Sequence, residues 1–120
     1  MKVAIEVSKE RMSGLLCSAL EGGSNYWYMI QEEYNPSGAK LTVDIPFSGG
    51  WLMIDDEASG EEELKKPVKL DMAKLEEGMH LFSESKEMKH HWNDFLNEND
   101  DAITGDVYLQ FCIFGKVIFG

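Results

Sequence analysis

Apolar and polar residues alternate through KVAIEV at residues 2–7, which puts Val3, Ile5 and Val7 on one face and predicts a half-buried strand. The period then lengthens. Ser8 reads as an N-cap, and Met12, Leu15, Leu16, Ala19 and Leu20 follow on one helical face. Val7 and Met12 occupy the two positions of a hydrophobic staple. Gly22-Gly23 is expected to end this helix, because glycine takes the left-handed C′ conformation at low cost.

Ser24 offers a second cap. A short helix over NYWYMIQEEY would align Trp27, Ile30 and Tyr34, with Gln31, Glu32 and Glu33 opposite. The β-propensity of Tyr26-Trp27-Tyr28 makes a strand the competing assignment; the helix is preferred. Asn35-Pro36-Ser37-Gly38 predicts a turn. Residues 40–45 alternate again, Leu41, Val43 and Ile45 inward, and predict a strand limited by Pro46. After the turn Ser48-Gly49-Gly50, WLMI at 51–54 predicts a second strand, paired with the first as a hairpin-like unit.

Residues 66–70 read as a short edge strand, where Pro67 is tolerated. Asp71 caps a helix with Met72, Leu75, Met79 and Phe82 on one face, weakened by Gly78. A further helix from near Ser85 aligns Met88, Trp92 and Phe95 and stops in the polar run Asn97 to Asp101. Residues 105–114 are assigned to a buried helix with Gly115 as its C′ residue, although their composition also permits a strand. Residues 116–119 are assigned to a short terminal strand. The expected class is α+β: a small antiparallel sheet of three to five short strands packed against three to five helices, in one domain spanning residues 1–120.

Composition changes the picture chiefly through charge. Of 120 residues, 43% are hydrophobic, enough for a core, while 22 Asp and Glu against 11 Lys and Arg give a net charge of −11. The only arginine is Arg11. Nucleic acid and anionic membrane surfaces demand clustered cations, so neither is an expected partner. A negative field steers a basic protein surface, although solubility alone is the simpler account of the charge. Cys17 and Cys112 each sit in apolar patterns and read as buried thiols rather than disulfide halves. The N-terminus has no secretory h-region, and no window reaches transmembrane length, so a cytoplasmic location is expected.

Two acidic stretches need separate accounts. Asp55, Asp56, Glu57, Glu61, Glu62 and Glu63 read as a solvated loop. The run Asn97 to Asp106 has no Lys or Arg between Lys89 and Lys116. Asn97, Asn99 and Asp101 copy the first ligands of a calcium loop, but Ala102 replaces its turn glycine and Tyr108 its bidentate glutamate. Helix stop and cap chemistry explains this run better. His80, His90 and His91 lack the i, i+4 pairing of a zinc site. No nucleophile elbow, P-loop or dinucleotide fingerprint is present, and no cofactor is expected. Gly22-Gly23-Ser24 resembles part of an anion-binding turn but has no nearby cation, so a helix–helix turn is preferred. Three consecutive aromatics, Tyr26-Trp27-Tyr28, cannot all face one core, so at least one ring is expected outside it or in a pocket.

LCSALEGGSNYWY at residues 16–28 and NENDDAITGDVYLQFCIFG at 97–115 resemble a family of short, uncharacterised phage- and prophage-encoded proteins. The resemblance runs through the chain except residues 37–66. It implies an accessory protein acting in a bacterial host cytoplasm and carries over no catalytic residue. It adds weight to Gly22, Gly23, Asn25, Tyr26, Trp27, Asn99, Asp100, Asp101 and Asp106 as candidate ligand- or partner-binding positions. The leading expectation is a non-catalytic module that binds a host protein with a basic surface, as an inhibitor of a defence or regulatory factor. A nucleotide-type ligand-binding or sequestering protein is the second. A metal-assisted hydrolase using Asp100, Asp101 and Asp106 is the third.

Overall fold

The computed structural model describes residues 7–120. The strand expected at 2–7 lies outside the described residues apart from Val7, which packs against the core. Ser8 caps α1 (Lys9–Ser18), its hydroxyl accepting the Arg11 amide, and Leu15 and Leu16 are fully buried. Gly22-Gly23 does not close α1 in a left-handed conformation. The helix instead widens into a π-helical turn, Ala19–Gly23, with the Ser24 amide bonded to the Ala19 carbonyl at 2.9 Å.

The next segment corrects the helix expected over residues 25–34. A tight turn follows, with the Trp27 and Tyr28 amides bonded to the Ser24 carbonyl, and then β1 (Met29–Tyr34). Ile30 and Tyr34 follow their strand propensity once a partner strand is available, whereas Tyr26, Trp27 and Tyr28 precede the strand. That partner is β2 (Trp51–Asp55), which also pairs with β3 (Val68–Leu70); both pairings are antiparallel and the order is β1-β2-β3. Residues 40–45 do not form the expected strand, and the proposed hairpin with 51–54 is absent. Thr42–Ser48 is a 3₁₀ helix, with Ile45 and Pro46 buried and Leu41 exposed. Both edges of β2 are already taken, and Pro46 has no N–H to give a ladder.

Leu52, Ile54 and Leu70 point into the core, where the helices pack. Asp71 caps α2 (Met72–Glu84), as expected, and α3 (Lys89–Leu96) buries Trp92 and Phe95. The central element is α4 (Ala102–Phe114), buried continuously from Thr104 to Ile113. It starts three residues earlier than expected, because Asp101 and Thr104 form a reciprocal capping box. Gly78 proves to be a packing residue: a Cβ there would collide with the Cys112 backbone and sulfur across the α2–α4 contact. Gly115 takes the left-handed C′ position, φ 75°, as expected.

Residues 116–119 form no strand. The amides of Ile118 and Phe119 instead donate to the Gln110 side chain, each at 2.8 Å. Cys112 is buried, whereas Cys17 is only half-buried; both are free thiols. Among the described residues no helix is long and apolar enough to cross a membrane. The result is an α+β fold in which a three-stranded sheet has helices on one face.

Candidate functional site

The two familiar stretches of sequence meet at Asp106. This residue lies one turn into α4 and is 7% exposed. One carboxylate oxygen accepts the Ser24 hydroxyl and the Trp27 indole N–H, both at 2.7 Å, and the other accepts the Tyr26 hydroxyl at 2.6 Å. Among the described residues three neutral donors therefore satisfy one buried carboxylate. The π-helical turn and the Ser24 turn aim all three donors at α4. Burial, and then the hydrogen bond to Asp106, push the Tyr26 hydroxyl well above the ordinary phenol range, so it remains a donor.

Close backbone approach explains the glycines. A Cβ on Gly23 would strike the Ala102 carbonyl, and one on Gly105 the backbone of α1. Trp27 is fully buried, with its ring 5.8 Å from Phe119 and 5.1 Å from Phe114. The Tyr28 hydroxyl donates to the Leu20 carbonyl at 2.5 Å. The ring expected to stand outside the core is that of Tyr26, 47% exposed. The remaining candidates flank this junction. Gly22 and Asn25 are exposed, and the Asn25 amide closes a turn onto the Gly22 carbonyl.

Asn99 is exposed, its amide bonded to the Asp94 carbonyl at 2.7 Å, while Asp100 pairs with Arg11 at 3.4 Å. Arg11 also donates to the Phe95 carbonyl and lies over the Phe95 ring, so it clamps α1 to the end of α3. Asp101 caps α4, and its bond from the Thr104 amide lowers its carboxyl below the usual range. Asp100, Asp101 and Asp106 thus serve three different partners. Among the described residues no group of three His, Cys, Asp or Glu side chains is arranged to hold a metal ion.

The other acidic stretch is only partly solvated. Asp55 and Asp56 are buried. Asp56 ties the loop shut by accepting the amides of Glu63 and Leu64, while Glu57, Glu61, Glu62 and Glu63 are exposed.

The sheet carries a second feature, on its outer face. Pleating sends Trp51 and Met53 of β2 to the face opposite Leu52 and Ile54. Register places Tyr34 beside Trp51, Glu32 beside Met53, and Lys69 of β3 on the other side of Met53. The Tyr34 and Trp51 rings are 5.8 Å apart, and the Lys69 ammonium lies 5.6 Å from the Trp51 ring centre. Tyr34 is 50% and Met29 45% exposed. This outer face sets Met29, Tyr34, Trp51 and Met53 among Glu32 and Lys69, and so carries more apolar and aromatic surface than an open antiparallel face usually does. The signal was present in WLMI, whose alternate residues cannot all enter one core. No family model, no curated protein and no solved structure matches the chain.

Proposed function

We propose that this chain is a non-catalytic binding module that docks a basic protein surface on the outer face of its sheet. The observation that carries this reading is the aromatic and methionine patch on the outer sheet face, with Met29 and Tyr34 exposed and Trp51 and Met53 half-buried beside them, in a chain of net charge −11. Aromatics and methionine supply contact area at an interface core, and the surrounding negative field speeds and orients approach of a cationic partner. The junction around Asp106 supports a folding role for the GGSNYW and NDDA-x-TGD segments, because its polar atoms are spent on one another. The resemblance to phage-encoded proteins favours a bacterial host protein as the partner and an accessory or inhibitory role in that cell.

The test begins with immobilised protein exposed to bacterial lysate at low and high salt. The captured protein is then purified and its affinity measured against two variants. Tyr34→Glu alters the sheet face, and Ile103→Glu alters an exposed apolar position on α4. The expected partner is basic and elutes at high salt. It binds at least about tenfold more weakly to Tyr34→Glu and unchanged to Ile103→Glu, a difference of about 1.4 kcal/mol. Nothing retained at low salt, or equal binding by Tyr34→Glu, would contradict the reading.

A further inference from the structure

The sheet has a second property besides its open face. Among the described residues, β1 pairs only with β2, so the far edge of Met29–Tyr34 carries no strand. A free edge is a template for further strand pairing, and proteins usually guard it by shortness, bulges or charge. β1 has six residues, a register irregularity between Ile30 and Glu32, and two exposed acids, Glu32 and Glu33. The irregularity and the acids are guards, and the acids are selective ones. Antiparallel pairing with β1 of a second copy would bring Glu32 and Glu33 against the same acids, and like charges across strands repel. The basic β3 edge of a second copy is a poor alternative, because β3 has three residues and Pro67 immediately precedes it.

We propose that β1 accepts an extended, lysine- or arginine-bearing segment of the partner as a fourth strand. The inference rests on the docking reading above and adds its mode. Backbone hydrogen bonds to the β1 edge would supply register-independent affinity. Cationic side chains on one face of the incoming strand would meet Glu32, and those on the other would meet Glu33, because pairing register puts these two acids on opposite faces. Apolar side chains on the outer face would extend the patch of Met29 and Tyr34. An acidic or neutral strand would lack the ion pairs, so the edge discriminates by charge.

The probe is a short synthetic peptide of alternating lysine and valine, titrated at low salt into the isotope-labelled chain. Two companions control it: the same peptide N-methylated at alternate residues, and a glutamate–valine peptide. Binding of the lysine peptide is expected to shift the amide signals of Met29–Tyr34 and slow their hydrogen exchange. N-methylation removes backbone donors while keeping charge, and is expected to weaken binding at least about tenfold. The glutamate peptide should not bind. The inference is overturned by equal affinity of the N-methylated peptide, by no binding of the lysine peptide, or by shifts confined to other elements. Slow exchange in the free chain of those β1 amides that point away from β2 would also overturn it, since the edge would then already be filled. So would self-association of the wild-type chain through β1. The two readings fail separately. A captured partner that needs Tyr34 but leaves the β1 amides unprotected would sustain face docking and remove strand addition.

Discussion

Asp106 shows how one side chain joins segments far apart in sequence. Removing its oxygens would strand the Ser24 hydroxyl and Trp27 N–H in a dry junction, and each unsatisfied buried donor costs about 1–3 kcal/mol. Asp106→Asn turns one acceptor into a donor facing donors. A loss of about 2–3 kcal/mol in urea unfolding is expected, and a change under half of that would show the network to be dispensable. Asp101 gives a pH test. Its folded pKa is depressed, chiefly by the Thr104 amide, so its contribution is complete above the ordinary carboxylate range and fades as pH falls through the folded value. Asparagine caps comparably but does not titrate. Asp101→Asn is therefore expected to match wild type near neutral pH and to lose less stability in acid; equal acid sensitivity would contradict this.

At the scale of elements, packing overruled local pattern in identifiable places. Helices α1 and α2 were legible because cap and apolar period agreed, at Ser8 and Asp71, whereas α3 was legible from its apolar period alone and starts at Lys89, later than expected, with no side-chain cap. The segment before Tyr34 forms a strand although Trp27, Ile30 and Tyr34 fit a helical spacing. In the fold Trp27 is fixed by Asp106, and Ile30 and Tyr34 enter a strand. Residues 40–45 have a strand's alternation but no free edge of β2 to join. Gly78 looked like a helix defect because sequence does not show what faces it. Gly78→Ala gains about 1 kcal/mol of helix propensity but overpacks against Cys112 at about 1–3 kcal/mol. Net destabilisation in denaturant is expected, and a stabilised variant would show that α2 and α4 can part. For β1, neutralising the guards with Glu32→Thr and Glu33→Thr is expected to produce concentration-dependent association in sedimentation. A monomer at all concentrations would mean that charge is not what keeps the edge free.

Across the whole molecule, the labour is divided between two regions. The distinctive sequence segments knit α1, the Ser24 turn, α4 and the C-terminal tail into one junction, with Gln110 holding residues 118 and 119. Among the described residues the far edge of β1 has no strand partner, and part of the outer sheet face, Trp51 and Met53, comes from the stretch that the family resemblance does not cover. The candidate positions drawn from motifs were visible in sequence because unusual residue combinations stand out. The aromatic pair on the outer sheet face was not, because strand pairing alone brings Tyr34 beside Trp51 from separate parts of the chain. The most direct measurement is hydrogen exchange along the whole chain with and without the captured basic partner. The account predicts new protection at the outward-pointing amides of Met29–Tyr34, with the amides of the central strand and those around Trp27 and Asp106 already slow. New protection centred on Asn25–Trp27 and Asn99–Asp106, with none on the sheet, would contradict it.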